Sequence, residues 1–450
     1  MTKRHDGGPG PLSPARYGAL LAALVAVIVV VSTAIYVGTS RSDGSGRDTL
    51  ADSHPSRGGA AAASVDTWVS AWSTAPSGAE PGTELTGLAG RSVRNVVHTT
   101  AGGTHARITL SNLYGQQPLT ITHASLAVAA APGTPAAAFG TLRRLTFGGA
   151  SSVVIPAGEQ TLSDPVRLHV TPGSDLLVST YSPTESGPVT YHAHARQISY
   201  VAEGDRTEDT SGSSYTQQVP FWRYVTALDV LSGDADGTVV VVGDSLTDGI
   251  TSTTGANHRW TDVLADRLRT ETGAPRFSVA NEGISGNRIL TDGPGRPPVN
   301  LSGLARFQRD ALGRAGVKAV VIALGVNDIL HDQPYANAGR IVDGLRELVR
   351  QAHGRGLRVV GATLMPFGGH VGYQRRLEGI RETVNQQIRA GRVFDHVVDF
   401  DAALRDPYAP RRLRPEYDSG DHLHPSDAGY RKMAESFNLS DLKSAAAASL

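Results

Sequence analysis

The chain has 450 residues, no cysteine, and equal numbers of Lys+Arg and Asp+Glu, 42 of each. Without cysteine there is no disulfide framework, no thiolate nucleophile and no thiolate-held metal. The charge balance speaks against nucleic acid or a strongly acidic surface as a partner.

Residues 1–16 carry Lys3, Arg4 and Arg16, and an uncharged stretch follows from Tyr17 to Ser40 with its apolar centre at Ala19–Val31. A run of about 20 apolar residues spans a bilayer, and the preceding positive charges hold the N-terminus in the cytoplasm. Residues 17–37 are therefore expected to be a membrane anchor or a secretory signal cut near Ser32-Thr33-Ala34, with length favouring the anchor. Both readings export the rest of the chain and make the membrane a partner through residues 17–37. Residues 38–66, rich in Gly, Ser, Ala, Asp and Arg without periodicity, read as a linker.

Over residues 67–232 short alternating runs are separated by turn residues. Examples are His105–Leu110, Leu119–Thr122, Asp175–Tyr181 and Val189–His194, with Thr171-Pro172-Gly173 between two of them. Many short strands with period two predict an all-β module of sandwich or jelly-roll type. Trp68 and Trp72 open it and are expected to pack in it. His192 and His194 fall on one strand face, as metal ligands can, but no third ligand lies nearby; a polar strand face against the next domain is the simpler reading.

Residues 237–445 change rhythm to strand, loop, helix. The apolar runs Val239–Val242, Phe277–Ala280, Ala319–Leu324, Val359–Leu364 and Val393–Phe400 predict five strands, the last interrupted by Asp395 and His396. Trp260, Val263, Leu264 and Leu268 share one helical face, as do Ile341, Leu345, Leu348 and Val349. Alternating β and α elements imply an α/β fold, a parallel sheet covered by helices on both faces.

Four short blocks punctuate this second region. Gly243-Asp244-Ser245-Leu246 follows the first strand directly, so the Ser245 hydroxyl stands at the carboxyl end of a parallel strand, where open α/β sheets bind ligands. Next come Asn281-Glu282-Gly283-Ile284-Ser285-Gly286-Asn287, then Gly325-Val326-Asn327-Asp328, and finally Asp421-His422-Leu423-His424-Pro425. In this order they resemble the blocks of the SGNH (GDSL) hydrolase family over roughly residues 238–440. The preceding module is similar, more loosely, to that of exported actinobacterial members.

The resemblance implies a flavodoxin-like three-layer α/β/α domain and a serine hydrolase of carboxylic esters. It makes Ser245 the nucleophile, His424 its base and Asp421 the carboxylate that orients the base. The oxyanion donors it implies are the backbone N–H groups of Ser245 and Gly286 and the side-chain amide of Asn327. An uncharged amide at position 327 donates where a carboxylate would repel. Asp244, Asp248 and Asp328 are expected to brace their loops, and the D-x-x-H-P spacing selects His424 over His422. Pro425 is expected in the first turn of a following helix. Such a site calls for no metal and no organic cofactor. Leu246, Phe367 and Tyr373 are candidates for an acyl or leaving-group pocket, with the substrate an O-acyl or O-acetyl ester, free or on a polymer. The rival readings are a lipase, an arylesterase, an acyltransferase or a non-catalytic glycan-binding protein.

Overall fold

The computed structural model describes residues 66–332 and 335–443. The expected anchor or signal at 17–37 and the linker up to residue 65 lie outside them. Among the described residues no helix is long and apolar enough to cross a membrane.

Strand Gly103–Ser111 shows why the first region is sheet. Ala106, Ile108 and Leu110 are buried while the residues between them are half-exposed, the period-two pattern of a strand with one covered face. It sits in an antiparallel sheet whose order is Thr67–Ser73, Val225–Ser232, Gly103–Ser111, Val166–Val170, with Gln160–Leu162 also on Gly103–Ser111. A second antiparallel sheet runs Gln217–Val219, Ser199–Glu203, Arg91–His98, Asp175–Ser182, His123–Val128, Arg143–Arg144. Both sheets feed one core, with Val69, Ile108 and Leu228 from the first meeting Val97, Leu126 and Leu176 from the second. Trp72 packs edge-on against Trp222 in it, ring centroids 4.9 Å apart. Trp68 is half-exposed and lies under the Arg107 guanidinium.

In the second region the strands are β1 (Gly237–Gly243), β2 (Phe277–Gly283), β3 (Val317–Ala323), β4 (Arg358–Ala362) and β5 (His396–Val398). They form a parallel sheet in the order β2-β1-β3-β4-β5, the doubly wound order of flavodoxin-type folds. Strand β1 is buried at every position because both faces are covered. Val240 and Val242 face one helical layer, with Leu345 and Leu348 of Ala338–His353 and Leu377 and Val384 of Arg375–Arg389. Val239 and Val241 face the other, with Trp260 and Leu264 of Trp260–Thr270 and Tyr430 and Met433 of Asp427–Glu435.

Some boundaries differ from expectation. The run Val393–Phe400 is strand only over His396–Val398, because Asp399 caps a short helix, Phe400–Leu404. Asp395 turns aside to accept the Val359 N–H at 2.8 Å. β2 runs on to Gly283, three residues past the apolar run, which delivers the second block to the sheet's carboxyl edge. Pro425 lies outside the last helix, which starts at Asp427 with Ser426 as its cap.

Candidate active site

β1 ends at Gly243 and the chain turns at once into a short helix, α1 (Ser245–Asp248). Asp244 caps it, its carboxylate accepting the Leu246 N–H at 3.0 Å. Gly283, at the end of β2, lets the second block press onto this helix. A Cβ there would stand 2.3 Å from the Asp248 nitrogen. The Ile284 N–H then donates to the Gly243 carbonyl at 3.1 Å.

The fourth block folds over the same edge. His424 Nε2 lies 2.9 Å from Ser245 Oγ, and His424 Nδ1 lies 2.6 Å from Asp421 Oδ2. The carboxylate accepts, so Nδ1 carries the ring proton and Nε2 is left to accept from the serine hydroxyl. Asp421 Oδ1 also accepts the backbone N–H groups of Leu423 at 2.9 Å and His424 at 2.8 Å. Partial burial pushes the Asp421 carboxyl up, but these N–H groups and the ring outweigh it and bring it down to about 2. The carboxylate thus stays ionised, and the three-residue turn closes on it.

His422 takes no part in this relay. Its backbone adopts φ +64°, and its Nδ1 pairs with Asp418 Oδ2 at 2.6 Å. A Cβ on Gly369 would stand 3.0 Å from its ring, so Gly369 lies directly against it.

The implied oxyanion residues come from the same three loops. Gly286 sits at φ +76°, the left-handed conformation that favours glycine. A Cβ there would meet only the Asn300 side-chain nitrogen, at an ordinary 3.5 Å, so backbone conformation rather than crowding requires the glycine. Asn327, in the short helix Val326–Leu330, is buried and donates one side-chain N–H to the Asn287 carbonyl at 3.1 Å. That bond places its amide beside the Gly286-Asn287 loop. Asp328 braces the same loop by accepting the N–H groups of Ile289 at 2.8 Å and Leu290 at 3.1 Å. Burial pushes Asp328 up to about 6 and Asp244 up to about 7.

Several supporting residues carry no motif signal. Arg306 is fully buried and donates to the Glu282 carbonyl at 2.8 Å, the Gly243 carbonyl at 3.0 Å and Asn287 Oδ1 at 3.0 Å. It therefore ties the ends of β1 and β2 to the Gly286-Asn287 loop. Asp248, expected only to brace its own turn, bonds the Ser285 N–H and a histidine of the sheet-rich region. A buried Arg in a helical run is the only hint the sequence offers for the first. For the second the only hint is the reading of His192 as a polar strand face against the next domain.

Other expectations are corrected. Strand Thr190–His192 ends at His192, so His194 is off the strand and exposed while His192 is buried. Among the described residues no group of three or more His, Cys, Asp or Glu is arranged to hold a metal ion. Phe367 is fully buried and packs edge-on against Tyr373 at 5.9 Å, so it belongs to the core rather than to a pocket wall. Leu246 and Tyr373 remain half-exposed.

Of the comparisons with known proteins, one gives a match within the α/β region. Residues 241–432 match the model of the GDSL-like Lipase/Acylhydrolase family. No curated protein matches the chain. Solved structures similar to it include a G-D-S-L family lipolytic protein from Desulfitobacterium hafniense, at 22% identity and a TM-score of 0.34, covering 44% of this chain and 96% of that one. Another is an acetylxylan esterase from Geobacillus stearothermophilus, at 21% identity and a TM-score of 0.34, covering 46% of this chain and 94% of that one. A GDSL-like lipase from Bacteroides thetaiotaomicron matches at 17% identity and a TM-score of 0.34, covering 46% of this chain and 88% of that one. The match to the GDSL-like Lipase/Acylhydrolase model falls within the α/β region, and the sheet-rich region stands outside it.

Proposed function

We propose that this chain is a serine esterase that hydrolyses O-acyl, in particular O-acetyl, esters through an acyl-Ser245 intermediate. The observation that carries the reading is the His424 ring, in hydrogen-bond reach of Ser245 Oγ on one side and the Asp421 carboxylate on the other.

In the forward half-reaction Ser245 Oγ attacks the ester carbonyl while its proton passes to His424 Nε2. Asp421 stabilises the imidazolium that forms and keeps its ring in register. The charge developing on the carbonyl oxygen meets the N–H groups of Ser245 and Gly286 and the Asn327 amide. Collapse expels the alcohol, which takes the proton from Nε2. Water then repeats the sequence on the acyl-serine, and the carboxylic acid leaves.

The proposal places the enzyme outside the cytoplasm, anchored or released, on the strength of Lys3, Arg4, Arg16 and the apolar run Ala19–Val31. That location favours esters borne on a glycan or another surface polymer as substrates. The test is a series of p-nitrophenyl esters from acetate to palmitate with the wild-type chain and Ser245→Ala. Rates that are greatest on acetate and vanish in the variant are expected. A preference for palmitate would replace the acetyl-ester reading with a lipase, and equal rates in both proteins would remove Ser245 from the chemistry.

A further inference from the structure

The loop that carries Gly286 is held from behind by the sheet-rich region. His192 ends strand Thr190–His192 and is 3% exposed. Its Nδ1 lies 2.8 Å from the Ala75 carbonyl oxygen and its Nε2 lies 3.0 Å from Asp248 Oδ1. A carbonyl and a carboxylate both accept, so both ring nitrogens donate and the ring is an imidazolium. Asp248 Oδ2 in turn accepts the Ser285 N–H at 2.9 Å. The contacts thus run from Ala75 through His192 and Asp248 to the residue immediately before Gly286. Asp248 also closes α1, the helix that Ser245 opens.

A second tie grips the same residue. The Asn300 N–H donates to the Ser77 carbonyl at 2.8 Å. The Asn300 side chain donates to the Ser285 carbonyl at 3.0 Å and accepts from Asn287 Nδ2 at 2.5 Å. Ser285 is therefore fixed at its N–H and at its C=O, and each fixing leads back to residues 75–77.

The charged groups around His192 are few. Asp248 faces it directly. The Arg259 guanidinium lies over the Trp222 ring at 5.5 Å, donates to the Asp248 backbone carbonyl at 3.1 Å, and pairs with Asp262 at 3.4 Å. Burial pushes the His192 imidazolium toward deprotonation and Arg259 acts in the same direction, but the Asp248 charge and the two hydrogen bonds outweigh both and raise its affinity for the proton.

We propose that His192 is a positioning residue of the esterase site, clamping Asp248 so that the Ser285-Gly286 loop keeps its oxyanion donor aimed beside Ser245. The role rests on the esterase reading above. It makes the sheet-rich region part of the active site's support rather than an independent binding unit. Displacing a loop by about 1 Å costs up to roughly 100-fold in turnover without any change in the reacting groups.

The experiment compares full-length wild type with His192→Gln on p-nitrophenyl acetate, and measures inhibition by phenylboronic acid, whose tetrahedral serine adduct uses the same donors. His192→Gln is expected to lower kcat by roughly 10- to 100-fold with KM within about two-fold. The phenylboronic acid inhibition constant should rise in step with the loss of kcat. A purely structural role would lower Tm and leave kcat and boronate affinity of the folded variant unchanged, and that result would overturn the proposal. If His192→Gln does not fold, the double variant His192→Gln/Asp248→Asn removes both buried charges together and carries the same comparison. Nitrogen-15 spectra of wild-type histidines at about pH 8 give an independent readout: a neutral His192 ring there contradicts the clamp. No hydrolysis by wild type would break the esterase reading itself, whereas an active wild type matched by its variant breaks only the positioning role.

Discussion

Strand β1 and strand Gly103–Ser111 bury their side chains in opposite styles. β1 is covered on both faces and apolar from Val239 to Val242, and after Thr238 near its start its next polar residues come only where it ends. Gly103–Ser111 covers one face, and its polar residues alternate along its length. The first arrangement gathers polar groups at one edge of the sheet, where the loops after β1, β2 and β3 meet. The second spreads them over a surface. The proposed reacting groups therefore collect in the α/β region, while the sheet-rich region contributes backbone carbonyls at Ala75 and Ser77 and the buried His192 ring.

That division orders the expected effects of substitution. Ser245→Ala removes the nucleophile and should lower kcat on p-nitrophenyl acetate by about 10⁴-fold or more, leaving Tm near wild type. Asp421→Asn keeps the shape of the turn but removes the anion that fixes the ring, and a fall in kcat of roughly 10²- to 10⁴-fold is expected in the same assay. Asn327→Ala deletes one oxyanion donor and should lower kcat by about 10²- to 10³-fold with little change in KM. An equal rise in KM would instead make Asn327 a ground-state contact.

Arg306→Ala probes the support rather than the chemistry. It strips donors from two buried carbonyls and from Asn287, and leaves Asp310 with one fewer cation. Denaturant unfolding should show a loss of about 3–5 kcal/mol.

The last effect expected is the pH dependence of Asp244. Burial raises its carboxyl to about 7, so the native chain holds a proton that the unfolded chain releases near the ordinary carboxylate value of about 4. The native state then binds more protons than the unfolded state between these values, and stability falls as pH rises from about 4 to about 7. Asp244→Asn keeps an oxygen for the Leu246 N–H but does not titrate. Its Tm should gain on wild type across that window, and parallel Tm curves would contradict the raised value.

The sequence made the α/β region legible because its signals are local. An apolar run ending in Gly243-Asp244-Ser245-Leu246 needs only strand periodicity and a turn to place the hydroxyl, and the spacing of Asp421 and His424 needs only one tight turn to join them. His192 was legible only as a polar residue facing the next domain, and the roles of Asp248 and Asn300 stayed hidden, because the partners are remote in the chain and include backbone carbonyls at Ala75 and Ser77, which no residue type announces. Arg306 escaped notice for a similar reason, since two of its three acceptors in the loop ends are backbone oxygens. The fifth strand was overextended because Val393 and Phe394 are buried without being in the sheet. Hydrophobicity marks burial, and here burial and pairing part company.

The most direct test of the serine relay is mass spectrometry of the enzyme acid-quenched during turnover of excess p-nitrophenyl acetate. One acetyl group on the peptide containing Ser245, absent from Ser245→Ala, is the expected result. Full-rate hydrolysis by Ser245→Ala, or an acetyl group carried on a different residue during turnover, would contradict it.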